Sequence, residues 1–410
     1  MPKKRILVVC QHFWPESFRI NDIVDYFIEQ DCEVDVLCGL PNYPKGQFMN
    51  GYGYFGKRHE THKGARIDRV LEIKRSNNSN IRIFLNYISF PFFSLFHIPK
   101  LMFREYDNVF IYQLSPVMMS LTGIILGKLK RIETTMYVLD LWPENLYSVL
   151  PIKNRALRAL VERHSHRYYK KVDRLVALSE TMREKLMEVT KKNPKTILVL
   201  PQVCEKIYEQ RTYDPLLRKQ FGKTFNVVFT GNISPAQSFE TMIKAAQILK
   251  KEGLKDIRWV IVGDGMSRTD VEKQVVKEGL LDTFVFEGHH PIENIPKYAD
   301  IADVLVGCLV KSKLLEATIP AKVISYIALG KPIVLAMDGE VQELINTTIR
   351  GGVVGPAENY QALAANIKKI YDLSQTDRHN ISLRLKRYHN KNLDRNVIFE
   401  HLLRFVSGVQ

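Results

Sequence analysis

Short runs of branched and apolar residues recur along the chain, and helix-length amphipathic stretches separate them. In the first half these runs are RILVVC, EVDVLC, NVFIYQL, TTMYVLDLW, RLVALS and TILVLP. In the second half they are NVVFTG, RWVIVGDG, TFVFEG, DVLVGCL and PIVLAM. Apolar strands that alternate with helices form parallel sheets covered on both faces. The two series therefore predict an α/β protein with two doubly wound, Rossmann-like domains.

The stretch PQVCEKIYEQRTYDPLLRKQFGKTF separates the two series, because it is polar and carries turn residues. We place the boundary at its start and predict a first domain over residues 1–203 and a second over residues 204–390. The chain of 410 residues is long enough for two domains, and its 45% hydrophobic and 25% charged residues are typical of a globular protein.

The segment Ile81–Phe103, IRIFLNYISFPFFSLFHIPKLMF, is unusually apolar. It is long enough to cross a bilayer, but asparagine, histidine, lysine and two prolines interrupt it, which argues against a spanning helix. Two interpretations stay open: core helices, or a patch that lies on a membrane surface with its aromatic rings among the lipid headgroups.

The net charge of +15 is concentrated between Pro151 and Leu200, where 13 lysines and arginines face 5 acidic residues. Three interpretations would explain this positive charge: a solvated helix face, attraction to an anionic membrane, or binding of nucleic acid. The absence of a recognition motif argues against nucleic acid. Five cysteines without a CxxC pair are typical of a reducing cytoplasm and argue against a zinc site. The start MPKKRILVVC lacks the cleavage site of a signal peptide.

Ligands of doubly wound folds bind at the carboxyl ends of the strands, where four loops of the second half stand out. Gly231 opens GNISPAQ, which could hold a phosphate or form a plain turn, and Gly263 and Gly265 end another strand. His289 and His290 lack a third ligand at metal-like spacing, so we interpret them as loop residues beside a ligand.

The fourth loop leads into IPAKVISYIALGKPIV, in which Pro320 and Gly330 predict the ends of a helix. Lys322 lies in its first turn, where anions are attracted, and we expect this side chain to be largely exposed. Lys322, Ser325 and Tyr326 share one helix face. Together the four loops indicate a site for a nucleoside diphosphate.

Asp140 and Glu144 follow a strand of the first half and flank Trp142, a plausible site for a ligand rich in hydroxyl groups. Asp140 could equally be a helix cap or a buried hydrogen-bond partner.

These segments resemble a known family. QHFWPESFRINDIV, GLPNYPKG, LNYISF, YQLSP and LDLWPENL, with FTGNISPAQS, VGDG, ADVLVGCL and IPAKVISYIALGKPIV, are similar to retaining glycosyltransferases of family four. The similarity is greatest to the bacterial branch that builds capsule and O-antigen repeats, including proteins assigned as L-fucosamine transferases. It implies the GT-B fold, in which two Rossmann-like domains face one cleft and the C-terminal helix, residues 391–410 here, packs back onto the first domain.

The resemblance also implies partners and roles. The second domain would bind a nucleotide-sugar donor, a UDP-linked N-acetylated amino sugar, with no metal or other cofactor. The first would bind a glycan acceptor on a polyprenyl diphosphate, so we expect a cytoplasmic enzyme held peripherally at the inner membrane and no nucleic acid. The expected donor contacts are Gly231, Asn232, Gln237, Gly263, Gly265, His289, His290, Pro291, Lys322, Ser325 and Tyr326. The expected acceptor contacts are Trp14, Arg19, Asn21, Asn42 and Tyr43, and the expected catalytic residues are Asp140, Glu144 and Lys322.

The chain departs from the family pattern at four positions. Many relatives carry Arg and Lys where this chain has Asn232 and Gln237, and two glutamates where it has Ala317 and Ser325. Lys322 should therefore be the main cationic contact of the diphosphate.

Two other functions compete with transfer. A UDP-sugar 2-epimerase shares the two-domain architecture, although the WPENL and GLPNYPKG loops argue against it. A non-enzymatic protein that binds membranes or nucleic acid would rest on the positive charge alone.

Overall fold

The computed structural model describes residues 3–43, 46–75, 80–149, 154–210 and 212–408, without the side chains of residues 80, 81, 83, 148, 149 and 314. Pro44 and Lys45 of the GLPNYPKG loop and residues 150–153 at the start of the basic segment therefore lie outside the described residues. The chain forms two compact units, Met1–Pro201 with Ile398–Gln410, and Gln202–Val397. The predicted domains ended at residues 203 and 390.

The first unit is built on an eight-stranded sheet. Its strands are β1 (Arg5–Val9), β2 (Glu33–Cys38), β3 (His59–His62), β4 (Ala65–Arg69), β5 (Asn108–Gln113), β6 (Glu133–Val138), β7 (Arg174–Ala177) and β8 (Ile197–Val199). They lie in the order β3-β4-β2-β1-β5-β6-β7-β8, and all neighbours are parallel except the edge pair β3 and β4.

Its helices are α1 (Arg19–Glu29), α2 (Asn80–Ser94), α3 (Ile98–Met102), α4 (Leu121–Lys130), α5 (Glu144–Val149), α6 (Arg155–Lys171) and α7 (Glu180–Thr190). The last helix of the chain, which we number α17 (Arg395–Ser407), packs on this unit through Phe399, whose ring lies 5.6 Å from that of Tyr26.

The second unit is built on a six-stranded parallel sheet in the order β11-β10-β9-β12-β13-β14. Its strands are β9 (Phe225–Thr230), β10 (Ile257–Val262), β11 (Phe284–Gly288), β12 (Val304–Cys308), β13 (Ile333–Ala336) and β14 (Gly352–Gly355). Its helices are α8 (Pro215–Phe221), α9 (Phe239–Lys251), α10 (Arg268–Lys277), α11 (Ile295–Ile301), α12 (Lys313–Glu316), α13 (Ala321–Leu329), α14 (Glu340–Glu343), α15 (Tyr360–Tyr371) and α16 (Gln375–Asn392).

The predicted fold of two α/β domains with parallel sheets is confirmed. Each of the eleven predicted runs contains a strand, and most residues of these strands are buried because helices cover the sheets. Strands β3, β4 and β14 were not predicted. The first two read HETH and ARIDR, which lack an apolar run, and they form the edge of the sheet.

The apolar segment Ile81–Phe103 folds into α2, a single turn Leu95–His97 and α3. Across the described part of the chain, no helix combines the length and apolar character needed to cross a bilayer. Helix α2 buries the polar side chains of Asn86, Ser89 and Ser94 together with Phe90. Among the described side chains of the segment, seven large apolar ones are exposed instead: Phe84, Leu85, Ile88, Phe92, Phe96, Met102 and Phe103. Core packing therefore explains only part of this segment.

Candidate functional site

Two glycine loops meet at the carboxyl ends of β9, β10 and β11. The N–H of Gly231 donates to the carbonyl of Val262 at 2.9 Å, and that of Gly263 donates to the carbonyl of Gly288 at 2.8 Å. Gly231 and Gly263 have φ angles of 137° and 147°, which side chains disfavour. A Cβ on Gly263 would lie 1.9 Å from the carbonyl oxygen of Gly231. Glycine at residue 263 thus allows the two loops to touch.

The same two loops continue their contact one step further from the sheet. The N–H of Ile233 donates to the carbonyl of Asp264 at 2.9 Å. A Cβ on Gly265 would lie 2.2 Å from the carbonyl oxygen of Ile233 and 2.3 Å from the side-chain oxygen of Asn232. Gly265 therefore allows the two loops to pack closely. Gly231 cannot offer its own N–H to a phosphate, because that N–H already donates to the carbonyl of Val262.

Lys322 points its ammonium group at this pair of loops. Helix α13 begins directly after Pro320, and Nζ of Lys322 lies 4.0 Å from the ring centroid of Phe229. Nζ donates a hydrogen bond to the side-chain oxygen of Gln237. A Cβ on Gly231 would lie 3.5 Å from the same nitrogen, so the ammonium group lies directly beside the first loop.

The expectation that Lys322 is largely exposed is wrong, because its side chain is only partly exposed and its ammonium group is desolvated. Burial lowers its pKa from 10.5 to about 7, and the buried thiol of Cys308 opposes this shift weakly. In the structure the ammonium group faces a ring and an amide oxygen, with no carboxylate among the charges that shift its pKa. A bound anion would restore the missing charge partner.

This shift predicts a pH dependence for anion binding. A diphosphate favours the protonated amine, so its affinity should fall by up to about tenfold per pH unit as the pH rises above 7. The unfolded chain, with a pKa of 10.5, holds this proton longer than the folded chain, so stability should rise over the same range. Calorimetric titration with UDP from pH 7 to 9 measures the first effect, and thermal unfolding measures the second. An affinity independent of pH would contradict the assignment, and a Lys322→Met variant should show a flat profile.

The remaining expected donor contacts follow β11 and line α13. His289 and Pro291 are exposed, whereas the Nε2 atom of His290 lies 2.9 Å from the hydroxyl of Tyr298 and 3.1 Å from the carbonyl oxygen of Glu287. Ser325 is partly exposed. These positions keep the backbone around residues 289–291 accessible at the same end of the sheet as the glycine loops.

Tyr326 has a different role from the one that its place on α13 indicates. Its side chain is fully buried, its hydroxyl accepts from the N–H of Thr230 at 3.0 Å, and it donates to the carbonyl of Val306 at 3.1 Å. Tyr326 therefore fixes α13, the helix that carries Lys322, to β9 and β12.

In the first unit, Asp140 follows β6 and is partly exposed. One carboxylate oxygen accepts from the N–H and the hydroxyl of Ser115, at 2.9 and 2.8 Å, and the indole N–H of Trp142 donates to that hydroxyl at 2.9 Å. Its other oxygen has no hydrogen bond to any described residue. Asp140 is thus oriented by one oxygen and can offer the other to a ligand.

Glu144 begins α5 and forms an ion pair with Lys185 at 2.8 Å. Its second oxygen is buried without a hydrogen-bond partner among the described residues. The negative charge of Glu144 is thus already compensated by Lys185, which sets it apart from Asp140.

The expected acceptor contacts divide into two groups. Asn21 accepts from the N–H of Trp14 at 2.9 Å and donates to the carbonyl of Glu16 at 2.7 Å, so it holds the loop before α1. Asn42 is buried and donates to Glu72 and to the carbonyl of Leu40, so it cannot reach an acceptor. The prediction of an acceptor contact is therefore wrong for Asn42.

The other three residues keep exposed surface. Trp14 stacks on His62 with the ring centroids 4.1 Å apart, Arg19 lies 3.4 Å from Asp22, and Tyr43 is 39% exposed. These three side chains therefore lie at least partly on the surface of the first unit.

Sequence reasoning missed two buried carboxyl groups beneath these loops. Glu16 accepts from the N–H groups of Asn42 and Tyr43, at 2.8 and 2.6 Å, and lies 2.9 Å from Nδ1 of His12. Burial, with the nearby charge of Glu16, raises the pKa of Glu72 well above its usual value. Both residues join the loops internally, and nothing in their spacing signals this contact.

Arg75 was also missed. Its guanidinium group lies 5.7 Å from the ring of Tyr43 and 6.0 Å from that of Tyr87, and its buried Nε has no hydrogen-bond partner among the described residues. Burial raises the pKa of Tyr87, and Asp140 contributes to the shift through its charge. Tyr43 and Tyr87 therefore both lie beside Arg75 in the first unit.

Comparison with known proteins shows which proteins the chain is similar to. Residues 218–387 match the sequence model of the family described as glycosyl transferases group 1. WcaI of Escherichia coli (strain K12), assigned to the glycosyl transferases of colanic acid biosynthesis, is 24% identical over 425 residues, which cover 98% of this chain and 100% of WcaI.

Solved structures agree on the fold. HepE of Anabaena, crystallised in complex with UDP-glucose, superposes with a TM-score of 0.68 at 16% identity, over 98% of this chain and 99% of HepE. An Escherichia coli trehalose-6-phosphate structure bound with UDP-2-fluoro glucose gives a TM-score of 0.73 at 12% identity, over 99% of this chain and 100% of that chain.

The chain therefore has the GT-B fold of two parallel-sheet α/β domains. Its residues 218–387 are similar to group 1 glycosyltransferases, and almost its full length is similar to WcaI.

Proposed function

We propose that the protein transfers a sugar, with retention of its anomeric configuration, from a UDP-sugar to a glycan acceptor during the synthesis of a bacterial surface polysaccharide. The observation that carries this proposal is the desolvated ammonium group of Lys322 beside the Gly231 loop. The donor would be a UDP-linked N-acetylated amino sugar, and the acceptor a glycan on a polyprenyl diphosphate.

Lys322 would stabilise the diphosphate as its bond to the sugar breaks. A cation fixed in a water-poor site stabilises developing charge without reorganisation, and such contacts supply much of the rate of group transfer. The loop from Asn232 would enclose the phosphates, and the backbone at His289, His290 and Pro291 would meet the edge of the base. Since Lys322 supplies the positive charge, no metal ion is needed at the diphosphate, and added Mg²⁺ should leave turnover unchanged.

Asp140 would contact the transferred sugar or the acceptor hydroxyl through the carboxylate oxygen that Ser115 does not use. Tyr43 and Arg75 would line the acceptor side. The support is geometric, since Asp140 has one oxygen fixed by Ser115, leaves the other oxygen unused and is partly exposed.

The protein would bind its acceptor at a membrane surface. Helix α2 buries polar side chains and exposes Phe84, Leu85, Ile88 and Phe92, which is the reverse of a soluble amphipathic helix. Helix α6 adds exposed Leu157 and Leu160 and a basic face of Arg155, Arg158, Arg163, Arg167, Lys170 and Lys171. Both helices pack against α4 and the turn Val117–Ser120, so the apolar and basic surfaces belong to neighbouring elements of one unit. Aromatic side chains beside lysine and arginine suit an anionic bilayer surface.

Replacing Phe92 and Phe96 together by serine should weaken binding to vesicles containing phosphatidylglycerol by at least about tenfold, because each ring loses its burial among lipid chains. The rings are 54% and 69% exposed, so the fold should persist. Vesicle sedimentation at low and high salt measures the effect. High salt should also weaken the binding of the wild-type protein to the vesicles. Leu281→Ser, at a 67% exposed position of the second unit, is the control. Equal binding of the double variant would contradict the assignment of this surface.

A screen of nucleotide sugars by thermal shift tests the proposed function. A donor bound by the native state raises the midpoint of unfolding by an amount that increases with its affinity, and UDP-sugars should do so. The product formed with a lipid-linked acceptor should keep the anomeric configuration of the donor, as measured by NMR. Conversion of UDP-N-acetylhexosamine without an acceptor would instead identify an epimerase, and absence of saturable UDP binding would remove the enzymatic proposal.

A further inference from the structure

Cys204, Glu209 and His389 bring three metal-binding atoms together in the second unit. The Sγ atom of Cys204 lies 3.7 Å from Nε2 of His389, and the Oε1 atom of Glu209 lies 3.9 Å from the same nitrogen. The three ligand atoms all lie within 4.8 Å of one another, although Cys204 and His389 are 185 residues apart in the sequence. No spacing rule could reveal this cluster, which we call the Cys204–Glu209–His389 cluster.

We propose that the Cys204–Glu209–His389 cluster is a Zn²⁺ site with three protein ligands and one open position. Tetrahedral Zn²⁺ with bonds of about 2.0–2.3 Å holds its ligand atoms about 3.3–3.6 Å apart. The distances of 3.7 and 3.9 Å in the cluster are close to that spacing. Thiolate and imidazole ligands select Zn²⁺ over Mg²⁺ and Ca²⁺, which prefer oxygen.

Burial and orientation favour a metal at this place. Cys204 and His389 are 6% and 2% exposed, whereas the Glu209 side chain is 28% exposed and can adjust toward an ion. Nδ1 of His389 lies 3.4 Å from the side-chain oxygen of Asn390. Donation from Nδ1–H to that oxygen leaves the lone pair of Nε2 directed at Cys204 and Glu209, as in sites where a neighbouring acceptor orients the ligand histidine.

The position of the cluster indicates a structural role. Glu209 ends the short turn Lys206–Glu209, His389 lies on α16, and both elements pack against α13, which carries Lys322. An ion bound to the turn and to α16 would hold both elements against the donor helix. This inference goes beyond the proposed function, because no step of sugar transfer runs through the metal.

Cobalt binding tests the site directly in the full-length protein. After removal of metals with a chelator, titration with Co²⁺ should give one ion per chain, a thiolate-to-cobalt charge-transfer band and the visible bands of tetrahedral cobalt. One equivalent of Zn²⁺ should abolish these bands. Absence of the charge-transfer band would overturn the proposal and leave a thiol hydrogen-bonded to imidazole.

Variants identify the ligands. Cys204→Ser and His389→Gln should each weaken Zn²⁺ binding at least about 100-fold, since loss of an outer partner alone costs 10–100-fold. Cys32→Ser, at the other cysteine that is not fully buried, and His379→Gln, at an exposed position of the same α16, are matched controls and should bind as the wild type does.

Glu209→Gln keeps the proposal testable if the buried variants fail to fold. This change lies on a partly exposed side chain and should weaken Zn²⁺ binding at least about tenfold, with an unchanged melting temperature in the metal-free state. Unchanged Zn²⁺ affinity in Glu209→Gln, or equal loss in the control variants, would overturn the three-ligand site.

Discussion

Replacing Lys322 by alanine should reduce turnover by about 10²–10³-fold, because removal of one fixed electrostatic contact to the developing charge costs that much in comparable sites. UDP affinity should fall as well, since the ammonium group is the cation beside the Gly231 loop. Steady-state transfer assays and calorimetric titration with UDP measure the two effects. Near-normal turnover would remove Lys322 from the proposed mechanism.

A stability measurement separates this loss from misfolding. Because the ammonium group is desolvated and its pKa is lowered to about 7, removing it should leave thermal stability unchanged or raise it. Lys322→Met keeps the apolar stem over Phe229 and removes only the charge. Lys244→Met is the matched control, because that lysine is partly exposed and pairs with Glu240 on α9. A large destabilisation of Lys322→Met would indicate a structural role instead.

Replacing Asp140 by asparagine should lower kcat by about 10²-fold or more while the Kd for UDP stays unchanged. Asparagine keeps an oxygen that can accept both hydrogen bonds from Ser115, so the orientation of the side chain survives and only the charge is lost. Steady-state kinetics with a UDP-sugar and equilibrium binding of UDP measure the two quantities.

Two further variants serve as comparisons for Asp140→Asn. Glu144→Gln removes a carboxylate already paired with Lys185, so its effect on kcat should be smaller. Ser115→Ala removes one bond that orients Asp140 and should give a partial loss in kcat. Loss of UDP binding in Asp140→Asn, without a change in kcat, would contradict the placement of Asp140 beside the reacting sugar.

The fold was predictable from the sequence because its central strands have a recognisable pattern of apolar residues. NVVFTG and RNVIFEHLLRFVSG carry patterns that require burial on both faces or on one helical face. The hairpin of β3 and β4 carries no such pattern, since its buried residues include Asp68 and Arg69, which are held by ion pairs with Lys100 and Glu60. Hydropathy does not distinguish a buried ion pair from exposed charges.

The candidate site was predictable in part. Glycine at residues 231, 263 and 265 signals close approach of backbones, and the structure places Gly263 against Gly231 and Gly265 against Asn232 and Ile233. The burial of Lys322 was not predictable, because it depends on Phe229 and Gln237, which other elements bring to the amine. The burial of the Glu16 and Glu72 carboxyl groups was not predictable either, since their hydrogen-bond partners are distant in the sequence.

The hydrogen bond between Lys322 and Gln237 limits the mutational routes open to this site. The cation could in principle be carried by the turn that holds residue 237 instead of α13. If Gln237→Lys occurred first, two ammonium groups would lie within hydrogen-bonding distance of each other. If Lys322 were lost first, the ammonium group beside the Gly231 loop would be missing. Both intermediates impair the site, so the residue pair at 237 and 322 should exchange together or not at all.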